Sequence, residues 1–481
     1  MTAAAPAIEP IIGLEIHVQL ATRTKMFCGC AVEFGAEPNT RVCPVCLGLP
    51  GALPVINERA IELAVRAGLA LNCTIAEVTK WDRKSYYYPD LPKNYQISQY
   101  DMPIADGGSL DGIRIRRAHL EEDAGKNIHD IPGCTAVDLN RAGTPLLEIV
   151  TEPDFHSADA VREFAIRLQR LVRYLGVSEA NMQKGQMRFE PNINVRIGTG
   201  EDACVTPIVE VKNLNSFRSL HGAITYEIDR QVAQWRETGV AAETGNKSNR
   251  GWDDAKMVTL PQREKEESDD YRYFPDPDLV PLTLDRNWID SIRAALPERP
   301  DARIERIVAN FAIPEKSAAA LIDDRATVDL LDAAAAAGGD PLTLGKHFLG
   351  FWSMHANQRG VPIAQLGIVA AHMAELSRLV ADGKINATAA AAIADQMIKS
   401  PAAPARLAEQ LGLFQSSDES EIAAWVDQAL AANRKAVSDA LANPKKMKAA
   451  RGFLTGQVMK LSGGKADPKL VGQLIDSKLA K

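Results

Sequence analysis

The sequence has 481 residues, of which 46% are hydrophobic and 24% are charged, and its formal net charge is −7. This composition is typical of a soluble globular protein, and the length predicts more than one domain because single cores stop growing near about 250–300 residues. No basic region followed by an apolar core opens the chain, and no apolar run reaches the roughly 18–20 residues of a membrane helix, so we expect a cytoplasmic protein without membrane contact.

Alternating polar and apolar residues predict strands with an unusual polar face. In residues 11–20, Glu15 and His17 share one side of a strand, because side chains alternate across it. The alternation recurs near Glu148 and in residues 188–196, where five polar side chains share a face. Carboxylates, histidine and arginine on several strands indicate the floor of a metal- or phosphate-binding site. The alternative is the solvated face of an antiparallel sheet.

Four cysteines form two short pairs that can chelate a metal. Cys28 and Cys30 flank a glycine, and after twelve intervening residues Cys43 and Cys46 flank Pro-Val. Thiolates at this spacing can close a tetrahedral zinc site and leave no ligand position open for catalysis. We predict a structural zinc ion, because disulfides are disfavoured in the cytosol; redox-active or unliganded thiols are the alternatives.

An aromatic and basic run spans residues 80–96 and includes Lys84, Tyr88 and Lys93. Aromatic rings stack on bases while lysine and arginine hold phosphates, so the run suits a nucleotide or a single-stranded RNA end. Packing of the rings within a loop explains the same residues equally well.

Carboxylates and basic residues further along the chain suit phosphoryl transfer. Glu121 and Glu122 belong to a run of three carboxylates beside the basic residues 114–117, and burial there would require a counter-ion such as Mg²⁺. Arg141 follows as a residue able to clamp phosphate. Phosphoryl transfer requires carboxylates that hold Mg²⁺ and basic side chains that contact the phosphates. The sequence contains neither a Gly-x4-Gly-Lys-Ser/Thr phosphate loop nor a Gly-x-Ser-x-Gly nucleophile elbow.

Domain boundaries follow changes in the residue pattern. Residues 1–292 mix strand and helix patterns, with a strand predicted at 209–212, a helix predicted from the cap Asn215-Ser216 through Trp235, and a polar loop predicted at 240–256. Residues 293–403 are rich in Ala and Leu at helical spacing, without strand patterns. A proline-rich interruption then precedes a small helical tail, residues 404–481.

The predicted tail is basic although the chain is acidic. Residues 434–481 contain eleven lysines and arginines against three aspartates, a net charge of +8. Such a module suits contact with a phosphate backbone, and a solvated lysine-rich terminal domain is the alternative. Helix starts are predicted at Ser416, which precedes a capping-box glutamate, and at Asp467-Pro468.

Several long blocks of the sequence are specific enough to indicate a family. They include Gly13-Leu-Glu-Ile-His-Val-Gln-Leu20 and His119-Leu-Glu-Glu-Asp-Ala-Gly-Lys126. The further blocks lie at residues 88–99, 138–154, 268–278, 452–460 and 464–468. Together they resemble the B subunit of the tRNA-dependent amidotransferases that act on Glu-tRNA(Gln) and Asp-tRNA(Asn), and the resemblance covers effectively the whole chain.

This resemblance implies a fold and a reaction. The implied fold is α+β: a cradle-like α/β domain resembling glutamine synthetase, an all-α helical domain and a small α-helical tail domain. ATP with Mg²⁺ is expected to phosphorylate the side-chain carboxylate of glutamate or aspartate esterified to tRNA, because phosphate is a leaving group that a carboxylate lacks. Ammonia then displaces the phosphate.

The resemblance also implies partners. No Lys-Ser-Ser amidase signature occurs, so ammonia is expected from a glutaminase A subunit, and a small C subunit is expected to complete a heterotrimer. The helical domain and the basic tail are expected to hold the charged tRNA, Glu-tRNA(Gln) or Asp-tRNA(Asn).

Roles for individual residues follow from the same resemblance. The residues expected to act in catalysis are Glu15, His17, Glu121, Glu122, Glu148 and Arg141. The expected magnesium ligands are Glu15, His17, Glu122 and Glu148, and Glu121 and Glu190 are further candidates for positions around the metals. The residues expected to bind the cofactor are Lys84, Tyr88, Lys93, Arg188, Glu190 and Arg196. Histidine is an unusual Mg²⁺ ligand, so His17 is expected to bind a softer ion or to orient a metal-bound water.

Two other functions stay open on the sequence alone. A non-catalytic RNA-binding scaffold would leave all chemistry to a partner, and it would not need Glu15, His17, Glu121 and Glu148 to converge. A free-standing enzyme resembling glutamine synthetase would act on a small acid, and it would not need the basic tail.

Overall fold

The structure, a computed structural model, describes residues 6–129, 131–200, 203–239, 241, 247–262, 271–416, 418–442 and 444–479, with the backbone alone for 439–442 and 444–448. The chain divides into two compact units, residues 1–299 and 300–481. The first unit combines a large sheet with helices and the second is helical, which confirms the predicted α+β class. The division into three domains at residues 292 and 403 stays a prediction.

The strands and helices of the first unit are numbered in chain order over its described residues. Strands β1 to β17 are Ile8–Gln19, Thr74–Ile75, Val78–Thr79, Asp82–Ser85, Tyr95–Ser98, Ala105–Leu110, Ile113–Glu122, Lys126–Ile128, Ala136–Asp138, Pro145–Thr151, Met187–Ile197, Cys204–Val205, Val209–Lys212, Ser248–Asp253, Val258–Pro261, Phe274–Pro275 and Leu282–Thr283. Helices α1 to α4 are Glu58–Ala70, Ala158–Tyr174, Phe217–Thr238 and Arg286–Ala294.

Within the described residues, ten strands form one sheet in the order β15-β14-β13-β11-β1-β10-β7-β6-β2, with β12 paired to β11. Neighbouring strands are antiparallel except β13 and β14, which are parallel because the long connection through α3 lies between them. The register of the central β1 places Glu15 opposite Glu190 of β11 and His17 opposite Glu148 of β10. Polar positions of separate strands therefore lie side by side.

Apolar residues at alternate positions of β1 build the core on the opposite face. Ile12, Leu14, Ile16 and Val18 are at most 1% exposed and share one hydrophobic core with residues of α1, α2 and α3. Full burial of a side chain of this size contributes about 1.5–3 kcal/mol, so this face stabilises the unit. The intervening positions, such as His17, carry the polar side chains.

Helix α3 begins where the sequence predicts. The Ser216 hydroxyl accepts a hydrogen bond from the Ser219 amide at 3.0 Å, which makes Ser216 the N-cap. The helix ends at Thr238 because Gly239 adopts a left-handed φ of 65°. The loop predicted at 240–256 is wrong for Ser248–Asp253, which forms β14, and residues 240 and 242–246 lie outside the described residues.

The second unit is built from helices, as the sequence predicts. In its described residues, helices α5 to α16 are Pro300–Phe311, Glu315–Leu321, Arg325–Ala336, Pro341–His347, Ser353–Arg359, Ala370–Ala381, Ala387–Met397, Pro404–Gln410, Glu419–Ala432, Arg434–Ala442, Pro444–Leu461 and Pro468–Leu479. A π-helical turn at Phe348–Trp352 joins α8 to α9, and a 3-10 turn at Ile363–Leu366 precedes α10.

The last four helices have a small core of their own. Its central side chains are Ile422, Val426, Leu454, Val458, Val471 and Ile475. Helix α16 begins at Pro468 after Asp467, as predicted. The cap predicted at Ser416 is wrong, because Asp418 occupies the N-cap of α13 and its carboxylate accepts the amide hydrogen bonds there.

Candidate functional site

The polar face of the ten-stranded sheet forms the floor of a cavity of about 1010 Å³. Side chains of β1, β7, β10, β11 and β13 contribute to it, because alternation turns every second residue of each strand toward the same side. The cavity contains eight of the predicted site residues, namely Glu15, His17, Lys84, Tyr88, Glu121, Glu148, Arg188 and Glu190.

A first group of ligand-type side chains consists of His17, Glu121 and Glu148, whose ligand atoms lie within 4.8 Å of one another. His17 Nε2 is 3.5 Å from a Glu148 oxygen and 3.7 Å from a Glu121 oxygen. His119, on the same face of β7 as Glu121, approaches Glu148 to 3.3 Å. Two histidines and two carboxylates therefore meet over three adjacent strands.

The charges of this first group are strongly coupled. Burial lowers the pKa of His17, but the hydrogen bond to Glu148 and the charges of Glu148, Glu190 and Glu121 outweigh it and raise the pKa to about 9. Burial and the nearby Glu148 raise the pKa of Glu121. Burial also acts to raise the pKa of Glu148, but His119 and His17 hold it well below its usual range.

A second group consists of Glu15, Glu190 and Glu210, whose carboxylate oxygens also lie within 4.8 Å of one another. Glu210 is fully buried. The Lys212 ammonium is 3.0 Å from Glu190 and 3.1 Å from Glu210, and Asn192 donates a hydrogen bond to Glu15 at 3.0 Å. The two groups are neighbours because Glu15 and His17 are two residues apart on one face of β1.

Both groups fit divalent cations by the chemistry of their donors. Mg²⁺ takes carboxylate oxygens, and the second group offers oxygen ligands alone. The first group adds an imidazole nitrogen, which suits a softer divalent ion such as Zn²⁺ better than it suits Mg²⁺.

A buried carboxylate, Asp123, holds cationic side chains beside the cavity. Arg188 donates to it at 3.0 Å and Gln19 at 2.9 Å, and Arg141 Nε lies 3.7 Å away. Burial acts to raise the pKa of Asp123, but the charges of Arg188 and Arg141 lower it overall. Arg188 lines the cavity. Arg141 does not, because its guanidinium donates to the carbonyl oxygens of Ala124 and Gly125.

Aromatic rings form one wall of the cavity. The Lys84 ammonium lies 4.6 Å from the centre of the Tyr271 ring and 5.5 Å from that of Tyr86. Tyr100 and Tyr273 stack with ring centres 4.3 Å apart. Burial acts to lower the pKa of Lys84, but the nearby Tyr273 and the carboxylates of Glu121 and Glu148 raise it overall.

Three predicted site residues lie away from the large cavity, besides Arg141. Glu122 points to the opposite side of β7 from Glu121, accepts hydrogen bonds from Lys93 and from the Ile97 amide, and lines a cavity of about 130 Å³ with Lys93. Arg196 is exposed and pairs with Glu9 at 3.2 Å.

The four predicted cysteine ligands converge. The sulfur atoms of Cys28, Cys30, Cys43 and Cys46 lie within 4.8 Å of one another, so the cluster could hold a metal ion such as zinc. The Lys25 ammonium, fully buried, is 3.5 Å from Cys46 Sγ. The hydrogen bond with Cys28 is the main cause that lowers the pKa of Cys46 to about 4, which favours the thiolate form that binds metals.

Comparisons with known proteins agree over nearly the full length of the chain. The family model described as "GatB/GatE catalytic domain" matches residues 10–290, and one described as "GatB domain" matches residues 329–479. Proteins named as the B subunit of aspartyl/glutamyl-tRNA(Asn/Gln) amidotransferase are 42% identical in Caldanaerobacter subterraneus subsp. tengcongensis and 44% identical in Persephonella marina and Moorella thermoacetica. Each match covers 98% of this chain and 99% of the relative. The chain belongs to this family of amidotransferase B subunits.

Three residues of the site in this member of the amidotransferase family, His119, Glu210 and Lys212, are absent from the predicted site residues, whereas Asp123 belongs to the predicted run of three carboxylates without a role of its own. His119 and Glu121 are two residues apart on β7, so alternation predicts that their side chains lie on the same face. Glu210 and Lys212 alternate with valines in the same way. Their position beside Glu190 depends on the pairing of β13 with β11, which the sequence does not display.

In this amidotransferase family member, none of the described helices is both long and apolar enough to cross a membrane.

Proposed function

We propose that this chain is the amidating subunit of a tRNA-dependent amidotransferase and that it uses ATP. Its relatives are named for aspartyl/glutamyl-tRNA(Asn/Gln) amidotransferase, and we extend that substrate class to this chain. The side-chain carboxylate of Glu-tRNA(Gln) or Asp-tRNA(Asn) attacks the γ-phosphorus of ATP and ADP leaves. Ammonia then attacks the acyl carbon, inorganic phosphate leaves, and Gln-tRNA(Gln) or Asn-tRNA(Asn) forms.

One observation carries this proposal: Glu15, His17, Glu121 and Glu148 line the same cavity and fall into two neighbouring groups of ligand-type side chains. An RNA-binding scaffold has no need to bring four such residues together, and burying them side by side costs free energy unless cations join them. Phosphoryl transfer is a reaction that uses carboxylate-bound divalent ions together with arginine and lysine, and the cavity offers all of these side chains.

In this proposal the residues of the chain have distinct tasks. His17, Glu121 and Glu148 hold one divalent ion, and Glu15, Glu190 and Glu210 hold a second. Bound Mg²⁺ would neutralise charge on the phosphates of ATP. Arg188, held by Asp123, and Lys84, beside the tyrosine wall, supply positive charge to the phosphates and to the substrate carboxylate. We assign no metal to Glu122, because Lys93 already neutralises it on the other side of β7.

The proposal also includes partners and a structural ion. We propose that a glutaminase subunit supplies ammonia within a heterotrimer and that the basic tail contacts the tRNA backbone. A zinc ion held by Cys28, Cys30, Cys43 and Cys46 would cross-link the segment between the cysteine pairs. Zinc analysis of the purified protein, with about one ion per chain expected, tests the last part.

An isotope experiment tests the reaction directly. The charged tRNA carries ¹⁸O in the side-chain carboxylate of its glutamate, and the reconstituted complex receives ATP and glutamine. Transfer of one ¹⁸O atom into inorganic phosphate is expected, because the attacking oxygen leaves with the phosphate. Glu148→Gln should stop both this transfer and the ATP hydrolysis that depends on charged tRNA.

Glu163→Gln is the matched control, because Glu163 is an exposed carboxylate of α2. It should keep wild-type activity. ATP hydrolysis that ignores charged tRNA, or that survives Glu148→Gln, would instead favour a scaffold role for this chain. Appearance of the label in AMP would contradict phosphorylation and indicate adenylation.

A further inference from the structure

The two ligand groups of the cavity differ in how their negative charge is balanced. In the first group, histidines lie beside the carboxylates. In the second group, the Lys212 ammonium lies between two carboxylates, at 3.0 Å from Glu190 and 3.1 Å from Glu210. The Lys247 ammonium lies 3.4 Å from the other carboxylate oxygen of Glu210. The Lys212 ammonium therefore contacts the same carboxylates that a divalent cation would use as ligands.

Lysine and a divalent cation compete at such a position. Both carry positive charge and use the same carboxylate oxygens, so a cation that enters must repel or displace the ammonium. Lys212 can move, because its charge sits on a flexible four-carbon stem and its side chain is 32% exposed. Glu210 cannot follow it into solvent, because it is fully buried.

The position of Lys212 also suggests where its ammonium goes. Lys212 lines the large cavity together with Glu15, Glu190 and Arg188. A polyphosphate in this cavity would give the ammonium a second anionic partner within reach of the same stem. The loss of the carboxylate contacts would then be offset by contacts with phosphate.

We propose that Lys212 is an exchangeable counter-ion that couples the second divalent cation to the nucleotide. Without nucleotide, Lys212 neutralises Glu190 and Glu210 and keeps the cation out. When the phosphates of ATP enter, Lys212 moves to them and the cation takes the carboxylates. This inference rests on the proposed function and adds a regulation to it: the second cation binds well only together with the nucleotide.

The proposal predicts reciprocal effects on two ligands. Lys212→Met removes the competitor, so Mn²⁺ should bind to the second group without nucleotide about tenfold more tightly, within the usual range of coupling between sites. The same variant should bind the non-hydrolysable analogue AMP-PNP about tenfold more weakly at saturating Mn²⁺. Electron paramagnetic resonance of free Mn²⁺ and calorimetry of AMP-PNP measure the two effects on the reconstituted complex.

Three further variants make the test specific. Lys212→Arg keeps the charge and should behave as wild type with Mn²⁺, while a thermal unfolding scan checks that each variant is folded. Lys256→Met is a matched control, because Lys256 is 69% exposed and pairs with Asp253 away from the cavity. Adding Glu190→Gln to Lys212→Met should abolish the gained Mn²⁺ affinity.

The outcomes separate this inference from the proposed function. Mn²⁺ affinity unchanged in Lys212→Met, or a gain that survives Glu190→Gln, would overturn the exchange. Neither result changes the expectation that ¹⁸O is transferred to inorganic phosphate. Absence of that transfer in wild type would overturn the proposed function, even if Lys212→Met binds Mn²⁺ more tightly.

Discussion

The two faces of strand β1 differ in almost every property although they alternate residue by residue. One face carries Ile16 and Val18, which are fully buried in the core with three helices. The other carries Glu15 and His17, which lie in a large polar cavity. A single strand thus separates the residues that stabilise the sheet from those that line the cavity.

This difference teaches how sensitive the site is to register. Because side chains alternate with a period of two, a slip of one residue in β1 would exchange the two faces. The buried isoleucines and valines resist such a slip, and they thereby also fix the positions of Glu15 and His17. The apolar face consequently specifies the geometry of the polar one.

The largest expected effect comes from the polar face. His17→Ala should lower tRNA-dependent ATP hydrolysis by about 10³-fold, equivalent to about 4 kcal/mol, because it removes a ligand of the first group. The unfolding midpoint should fall as well, because Glu121 and Glu148 lose the imidazole that lies between them, but no apolar contact is lost and the rate should fall by the larger factor. Rate assays and thermal scans on the same preparations measure the rate and the unfolding midpoint. A His17→Ala variant with the wild-type rate would contradict a catalytic role for the polar face.

A change on the apolar face should lower the stability of the protein and leave the rate of ATP hydrolysis nearly unchanged. Ile16→Ala should lower the free energy of unfolding by about 2–5 kcal/mol, because it leaves a cavity in a packed core. The rate per folded molecule should change little. Urea unfolding followed by tryptophan fluorescence measures the loss, with Ile8→Ala as control because Ile8 is 43% exposed on the same strand. An equal loss in both variants would contradict the assignment of faces.

Consecutive glutamates on β7 sharpen the comparison. Glu121→Gln should act mainly on the rate, because Glu121 belongs to the first group. Glu122→Gln should act mainly on stability, by about 1–3 kcal/mol, because it weakens a buried hydrogen bond to the Lys93 ammonium. Parallel rate and unfolding measurements test the pair. A larger decrease of the rate in Glu122→Gln than in Glu121→Gln would contradict these roles and would favour Glu122 as a metal ligand.

The smallest effect is expected from Asp332, a carboxylate of the second unit that lies 2.8 Å from both Arg303 and Arg306. Burial acts to raise the pKa of Asp332, but hydrogen bonds from Arg306 and Arg303 lower it overall. A lowered folded-state pKa gives stability above the unfolded value of about 3.9 that is lost as pH falls through the folded value. Asp332→Asn should remove this pH dependence and about 1–2 kcal/mol at pH 7, after allowance for solvent screening.

Urea unfolding between pH 3 and pH 7 measures this contribution. Wild type should lose more stability than Asp332→Asn over that range. Equal losses would show that the arginines do not favour the ionised carboxylate.

Local pattern predicted much of this molecule. Alternation brought Glu15, His17 and Glu148 to one face, and the cysteine spacing anticipated the cluster of sulfur atoms. Glu121 and Glu122 are consecutive on β7, so alternation allows only one of the two to face the cavity, and the prediction that both act in catalysis conflicts with this period.

Other features depend on contacts that are distant in sequence. Lys93 meets Glu122 across 29 residues, and Glu210 joins Glu15 only because β13 pairs with β11. The stretch Ser248–Asp253 resembles a loop because it is polar, but its polarity suits a strand whose Asn249 lines the cavity. Residues 268–270 of one family block lie outside the described residues.

The central position of β1 also has a consequence for synthesis on the ribosome. Asn192, which donates to Glu15 from the neighbouring strand, follows it by 177 residues. Synthesis adds about 5–20 residues per second, so on the order of 10–35 s pass between the synthesis of β1 and that of the second strand with which it pairs. During that time its apolar face and open edges are exposed to aggregation, so the nascent chain depends on early shielding, which α1 is the first helix able to provide.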